Sequence, residues 1–427
     1  MVDQQTPTRT LSLEYLVNRS LSQPALPEFV AMMALLTSLV ALSIDTMLPA
    51  LAMIGADLGV SDLSHTQLIV SLLFMGLGIG QLFYGPLSDS IGRKNAIYVG
   101  VSIFIAGTLL SLFAPDFNTM LAGRVLQGVG AASARIVTMA MIRDQHAGRS
   151  MARIMSFIMA VFIIVPVLAP AIGQAILYVA DWHGIFVFFL ILSIGATTWF
   201  GLRLPESLTP ERRRPFSARV ILAGFRECFG TRVTFGYTVA TGFVLGPFLG
   251  YLSTAQQIFQ VQYGAGEMFV VYFGMGAVMI GFASVLNSQM VMRLGMRRIS
   301  RLSLGTAAGV SVLFALYTAL LGQPPLAAFM LYVMVTFFCM GTLFGNMNAI
   351  ALEPMGHMAG VGSAFVGFFS TSVAVIFGTV VGQNLGDTVL AVVLGFAIMP
   401  ALALALSFWA DRGTGHDEAE MGMTARP

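Results

Sequence analysis

The chain has 427 residues, of which 57% are hydrophobic and only 10% are charged. A soluble domain carries about 25% charged residues, and no single core needs so much apolar side chain, so most of this chain is expected to face lipid. The net charge of +2 says little by its total, whereas the distribution of the charges along the chain is informative.

The first element is a polar N-terminal extension, residues 1–28, in which we expect no secretory signal peptide. A helix needs about 20 apolar residues to cross a bilayer. Runs of this kind predict twelve transmembrane helices, at 29–53, 66–88, 95–114, 119–142, 152–178, 183–203, 232–258, 267–290, 299–321, 324–351, 359–385 and 387–409.

Lysine and arginine occupy alternate loops. They occur after spans 2, 4, 6 and 8 and in both tails, whereas the loops after spans 1, 3, 5, 7, 9 and 11 contain none. Positively charged loops stay on the cytoplasmic side, so both termini are expected there. Only Arg124 and Arg135 fall outside this pattern, because both lie inside span 4.

The one long break between spans is a basic linker, and a weak repeat runs across it. Gly92 follows span 2 and Gly295 follows span 8, a shift of 203 residues that also separates the starts of spans 1 and 7. Two parallel halves place a substrate site between them near the midplane. The predicted organisation is therefore a half at 29–203, a linker at 204–231, a half at 232–409 and a cytoplasmic tail at 410–427.

Span 1 contains a single carboxylate, Asp45, in the run SLVALSIDTMLPALAMI. A charge at that depth costs roughly 2.5 kcal/mol or more. Counted by helix rise, Asp45 and Arg124 lie at comparable depths, ~12 Å and ~8 Å from the same side. Burial favours the neutral carboxyl and a nearby guanidinium favours the ionised one, a balance suited to proton coupling. The alternatives are a static ion pair that fixes helix packing and direct binding of a cationic substrate.

The loop after span 2 reads GPLSDSIGRKNAI. It resembles the signature loop of the major facilitator superfamily, Gly-x-Leu-x-Asp-x-x-Gly-Arg-Lys. This resemblance implies a cytoplasmic gate in which Asp89 latches the two halves, with Arg93 and Asp144 as its partners. The alternative is that these charges only mark the loop for the cytoplasm. The predicted gate residues are Gly85, Asp89, Gly92, Arg93, Lys94 and Asp144.

Motifs in spans 4 and 5 narrow the resemblance to the drug antiporters of this superfamily. RVLQG, with Arg124, is similar to the second motif of drug antiporters, and PVLAPAIGQ is similar to a degenerate proline-glycine motif. Pro166, Pro170 and Gly173 would then act in gating, the alternative being a passive kink. DTMLPAL, PERRRPF and EPMGHMAGVGSA resemble the branch of drug:proton antiporters that exports bicyclomycin and chloramphenicol-type drugs.

The family's fold implies that spans 1, 4, 7 and 10 line a central cavity, where Asp45 and Arg124 would face each other. Arg135 lies on the face of Arg124, ~16 Å away, and either extends a basic stripe or snorkels to the surface. Deep polar residues are the other candidates for substrate contact, although each can equally join helices. The predicted cavity residues are Asp45, Arg124, Arg135, Tyr237, Thr241, Tyr251, Asn346 and Asn348.

We therefore predict an all-α, twelve-span transporter of the bacterial inner membrane that exports small drugs in exchange for protons. The alternative is a proton-coupled exporter or symporter of a natural metabolite. The sequence contains no nucleotide-binding loop, no metal cluster and no catalytic triad. We accordingly expect no enzyme activity, cofactor, ATP or nucleic acid, with protons, small molecules and lipid as the partners of a monomer.

Overall fold

The computed structural model describes residues 24–60, 63–146, 148–213 and 215–412. All regular structure in these residues is helical. Most of the predicted N-terminal extension, residues 1–23, and the end of the predicted tail, residues 413–427, lie outside the described residues.

The described chain forms fourteen α-helices. The first six spans are built from α1 to α7, the linker contains α8, and the last six spans are α9 to α14. Their bounds are α1 Leu26–Asp45, α2 Leu51–Asp57, α3 Leu68–Ile91, α4 Arg93–Leu112, α5 Phe117–Gln145, α6 Gly148–Leu177, α7 His183–Arg203, α8 Ala218–Gly230, α9 Arg232–Gln256, α10 Phe269–Leu294, α11 Met296–Leu321, α12 Leu326–Leu352, α13 Ala359–Gln383 and α14 Leu390–Asp411.

The prediction of an all-α, twelve-span fold is confirmed. Ten stretches of the described residues are long and apolar enough to cross a membrane, and one of them, Leu326–Gln383, contains the two helices α12 and α13. The helix α6 carries a further apolar stretch at Ile164–Leu177. The first span is interrupted, because α1 and α2 are joined by a short 3-10 turn at Leu48–Ala50.

Two glycines turn the chain at equivalent places. Gly92, with φ of 97°, is the single residue between α3 and α4, and Gly295, with φ of 76°, is the single residue between α10 and α11. A side chain with a Cβ rarely adopts such backbone angles. Both turns lie at the end of the bundle that carries the arginine-rich loops. We call this the basic end, and the end near residues 58–60, 63–67 and 384–389 the far end.

Glycines also allow α5 to pack closely against α3. A Cβ on Gly128 of α5 would lie 2.0 Å from the carbonyl oxygen of Leu73 in α3, and one on Gly76 of α3 would lie 2.0 Å from that of Val125. Small residues at such interfaces let the backbones of two membrane helices approach closely. The position of Arg124, in the same part of α5, depends on this approach.

Gly128→Ala is therefore expected to destabilise the protein, by about 1–3 kcal/mol, the usual cost of overpacking. The matched control is Gly309→Ala in α11, where a Cβ would meet nothing within 4 Å and where alanine favours the helix by up to about 1 kcal/mol. Thermal unfolding of both variants in detergent measures the difference. An equal midpoint for Gly128→Ala and the wild type would contradict the close packing.

The first and last six spans contact each other mainly through α3 and α13. Gly78 packs on Thr371, and Gly367 packs on the side-chain amide of Gln81. Near the far end, α6 also approaches α10, and the α1–α2 turn meets the end of α9. At the basic end, the linker helix α8 packs on α13, where Phe225 and Phe229 contact the ring of Phe365. The sequence did not predict this helix.

Candidate transport site

The site begins at the break in the first span. Proline has no N–H to donate, so Pro49 cannot bond the carbonyl of Asp45 four residues earlier, and α1 ends at that residue. The Asp45 side chain is only 5% exposed. Within the described residues its carboxylate has no hydrogen bond and no ion pair. A buried carboxyl without partners is costly in its ionised form.

Arg124 supports this break from α5. Its side chain is fully buried, and it donates to the carbonyl of Ser43 at 2.7 Å and to the carbonyl of Ile69 at 3.1 Å. It also donates to the side-chain oxygen of Gln127. Arg124 thus joins α5 to α3 and to α1. Its acceptor in α1, Ser43, lies two residues before Asp45.

A static ion pair between Arg124 and Asp45 was one of the alternatives predicted from the sequence, but these two side chains do not form one among the described residues. Three acceptors satisfy the guanidinium, and no ion pair between the two side chains occurs in the described part of the chain. The static-pair alternative is therefore not supported in this conformation. The cation binds the backbone that surrounds the carboxylate instead of the carboxylate itself.

A buried polar chain extends behind Arg124, and the sequence reasoning did not include it. Gln127 donates to the hydroxyl of Thr108 at 2.9 Å, and Thr108 donates to the carbonyl of Phe104 at 2.7 Å. Both side chains are fully buried. The signal was present in RVLQG, because Gln127 lies one helical turn after Arg124. Thr108 of α4 thus holds the Gln127 side chain, and Gln127 orients the guanidinium of Arg124.

Gly173 of the proline-glycine motif packs on the same break. A Cβ at this position would lie 2.1 Å from the carbonyl oxygen of Thr46 and 3.1 Å from the ring of Pro49. The helix α6 runs through Pro166 and Pro170 without ending. The structure therefore brings Asp45, Arg124 and Gly173 to one place.

Arg135 lies on the Arg124 face of α5, nearer the basic end. Its side chain is exposed. It has no hydrogen-bond or ion-pair partner among the described residues. Asn348 of α12 is likewise exposed, on the helix face that carries Phe344.

Two predicted cavity residues have other roles. The Tyr237 hydroxyl donates to the carboxylate of Asp411 at 2.7 Å, in a buried cluster with Arg297 and Arg301 at the basic end. Asn346 exchanges two hydrogen bonds, at 3.0 and 2.9 Å, with Asn287 of α10. In this conformation both polar groups are satisfied between helices, and substrate contact by either residue stays a prediction.

The other two candidates of α9 are buried. The Thr241 hydroxyl donates to the carbonyl of Tyr237. Tyr251 packs against the rings of Phe259, Phe273 and Phe337, and its buried hydroxyl has no partner in the described residues. Tyr251 can therefore still offer a hydrogen bond to a molecule that enters between α9 and α12.

Three of the predicted gate residues, Asp89, Asp144 and Arg93, form one cluster centred on Arg93. Its guanidinium binds Asp89 at 2.5 Å, Asp144 at 2.8 Å and the hydroxyl of Ser88 at 2.7 Å. Lys94 donates instead to the carbonyl of Gly201 at 2.7 Å. All of these partners belong to the first six spans.

Glu206 of the linker also reaches this turn and was missed from the sequence. Its carboxylate accepts from the backbone N–H groups of Arg93 and Lys94, both at 3.0 Å, which caps the start of α4. A Cβ on Gly92 would lie 2.6 Å from this carboxylate, so glycine is needed here. A Cβ on Gly85 would meet nothing within 4 Å, so no close approach depends on that residue.

Asp144→Asn is expected to destabilise the cluster more than Asp89→Asn. The Asp144 side chain is 23% exposed and that of Asp89 is 46% exposed, and water screens the more exposed pair. We expect a loss of about 1–2 kcal/mol for Asp144→Asn and less than about 1 kcal/mol for Asp89→Asn. Chemical unfolding in mixed micelles compares them, and a larger loss at Asp89 would contradict this order.

Twelve membrane spans with charged side chains buried between them are typical of a multi-pass membrane transport protein. A family model described as Major Facilitator Superfamily matches residues 33–379. The chain belongs to this superfamily and is a transporter, not an enzyme.

Curated relatives and solved structures agree with this assignment. The uncharacterized MFS-type transporter YdgK of Bacillus subtilis is 29% identical over 358 residues, which are 83% of this chain and 88% of that protein. A bicyclomycin resistance protein homolog of Haemophilus influenzae is 30% identical over 368 residues, covering 84% and 90% of the two chains. The xylose transporter XylE from E. coli, in a partially occluded inward open conformation, shares the fold with a TM-score of 0.67 and 13% identity over 90% of this chain and 96% of that one.

Proposed function

We propose that this transporter exports small drugs of the bicyclomycin and chloramphenicol type across the bacterial inner membrane in exchange for protons. The observation that carries the proposal is the carboxyl of Asp45, which is buried at a break in the first span and has no partner among the residues that the structure describes. A group in that position gains from taking up a proton when its surroundings are dry. The name of the Haemophilus influenzae relative supports the class of substrate.

Arg124 has a defined part in this mechanism. Its bonds to Ser43 and Ile69 hold the α1 break in position. Because it does not neutralise Asp45, the carboxyl remains free to exchange its proton. Movement of α1 relative to α5 would bring the two charges closer and favour the ionised carboxylate. The proton would then be released on the side to which the cavity is open.

The proposed substrate site lies in the cavity between the two halves, 29–203 and 232–409. Asp45, Arg135, Tyr251 and Asn348 supply its polar contacts, and Arg124 holds its framework. Arg135 offers an unpaired guanidinium, which suits neutral, zwitterionic or anionic molecules better than cations. The cluster around Arg93 would act as the gate at the basic end, and Pro166, Pro170 and Gly173 would adjust α6 when the cavity opens.

The orientation follows from the arginines. They place the basic end and both termini in the cytoplasm by the positive-inside rule. Proton movement down its gradient into the cell would then drive the substrate outward through rocking of the two halves. Both predicted halves, 29–203 and 232–409, belong to a single chain, so we propose a monomer.

Inside-out membrane vesicles test the proposal directly. Respiration acidifies their lumen, and chloramphenicol or bicyclomycin is then added outside. An antiporter carries drug in and protons out, so the luminal pH should rise on addition of the drug and remain unchanged in vesicles without the protein. A symporter would carry protons in the same direction as the drug and lower the luminal pH, which would overturn the proposed antiport. No change in luminal pH with either drug would favour the alternative of a natural metabolite.

A further inference from the structure

At the far end of the bundle, glutamine side chains join the first six spans to the last six. Gln256, at the end of α9, donates from Nε2 to the carbonyl of Pro49 at 2.9 Å and accepts from the N–H of Ala52 at 3.3 Å. The side chain is buried. One amide thus binds both a donor and an acceptor of the α1–α2 turn, across the interface between the first and last six spans.

A second amide bridge lies beside it. Gln67, just before α3, donates to the side-chain oxygen of Gln257 at 3.0 Å. Gln67 is itself buried, and a Cβ on Gly382 of α13 would lie 2.0 Å from its side-chain oxygen. This bridge also joins the first six spans to the last six.

The backbone of α9 changes where the two bridges meet. Residues Gln257–Gln262 form a π-helical turn, in which Tyr263 donates to the carbonyl of Ile258 five residues earlier at 3.0 Å. Such wide turns are rare in α-helices and are frequently found at functional sites. The turn begins directly after Gln256, so the neighbouring residues Gln256 and Gln257 contact two different helices.

The chemistry of the two ends is different. At the basic end, carboxylates and guanidinium groups hold the cluster around Arg93 together. At the far end, the bridges consist of amides and backbone groups, and Gln256 makes its remaining bond to the amide of Gln260 at 3.1 Å. Neutral hydrogen bonds contribute modestly, so this contact can open and close without separating charges.

We propose that Gln67, Gln256 and Gln257 form an amide latch that holds the far end closed and breaks when the cavity opens to that side. The latch binds the turn that follows Asp45, so the two elements move together. The inference rests on the alternation of access in a transporter of this fold, and on neither the proposed drugs nor proton coupling.

A cysteine placed behind the latch tests the proposal. Ser71 lies one helical turn after Gln67 on the same face of α3 and is buried, and Ser71→Cys hardly changes its volume. Protein in lipid nanodiscs is treated with a membrane-impermeant maleimide, and the rate of labelling is measured. Cys228 and Cys339 are both buried, and protein without Ser71→Cys gives their background rate.

Gln256→Met and Gln67→Met are each expected to raise the labelling rate of Ser71→Cys by about tenfold or more. Gln67→Met removes one hydrogen bond across the interface and Gln256→Met removes two, and the loss of one hydrogen bond of ordinary strength accounts for about tenfold. Gln262→Met is the matched control, since that amide donates to Gly386 at 2.8 Å within the last six spans. Size-exclusion chromatography checks that each variant is folded. If Gln67→Met does not fold, Gln257→Met removes the same bond from the other helix.

Unchanged rates in folded Gln256→Met and Gln67→Met protein would overturn the latch. An equal increase in Gln262→Met would overturn it as well, because the far end would then be loosened generally. The measurement uses no drug and no proton gradient. A failure of the proposed antiport would therefore leave its result unaffected.

Discussion

Asp45→Asn is expected to reduce proton-driven drug export to the level of cells without the protein. Asparagine keeps the size of the side chain but cannot take up or release a proton. Because Asp45 has no partner among the described residues, its replacement removes no hydrogen bond that holds helices together. Drug binding should therefore survive, with a Kd within about threefold of the wild type, which corresponds to ~0.6 kcal/mol.

Export is measured in loaded cells with and without a protonophore, and binding is measured on purified protein. Asp57→Asn is the matched control, since Asp57 is the nearby carboxylate that ends α2 and it already accepts a hydrogen bond from Trp182 at 2.7 Å. Wild-type export should collapse with the protonophore. Uphill export by Asp45→Asn would show that Asp45 is structural and that the proton binds elsewhere.

Arg124→Met is expected to cause the largest loss of stability. The guanidinium serves three acceptors in a fully buried position. The Ile69 carbonyl lies at the start of α3 and keeps its helical donor, but methionine would leave the Ser43 carbonyl and the Gln127 amide oxygen without this donor. Each buried group left unsatisfied costs about 1–3 kcal/mol, so we expect a loss of at least about 2 kcal/mol. Arg124→Lys should recover only part of it, because an ammonium lacks the planar fork of a guanidinium.

Thermal and chemical unfolding in detergent measure this loss. The control is Arg135→Met, which removes the same charge from the same helix. Arg135 is exposed and has no partner in the described residues, so its replacement should change the unfolding midpoint little while altering substrate affinity. An equal loss of stability at both positions would contradict the role assigned to Arg124.

The basic end contains a second buried charge cluster that no local pattern in the sequence indicated. Asp411, the last residue of α14, binds Arg297 at 3.1 Å and Arg301 at 3.0 Å, and Glu353 binds Arg297 at 2.8 Å. Together with the cluster around Arg93, it places charged contacts at the basic end of both sets of spans. The far end carries neutral bridges between the same two sets. This asymmetry suits a transporter whose two gates must open in turn.

The sequence by itself determined the membrane fold, because about 20 apolar residues are needed for each span and the arginines mark one side of it. It also singled out Asp45, since an ionisable residue inside an apolar run is rare. The turns at Gly92 and Gly295 were predictable from their common spacing, as only glycine readily adopts their backbone angles.

Only the tertiary structure decided which polar groups meet. Arg124 binds a carbonyl 81 residues earlier, Tyr237 binds a carboxylate 174 residues later, and Gln256 binds a carbonyl 207 residues earlier. A single sequence contains the donors and acceptors, but their pairing depends on how the helices pack. Tyr237 and Asn346 were therefore assigned to the cavity by depth alone, whereas packing gave them partners between helices. Asp45 has no partner among the described residues, because the guanidinium of Arg124 binds backbone carbonyls and the Gln127 side chain instead.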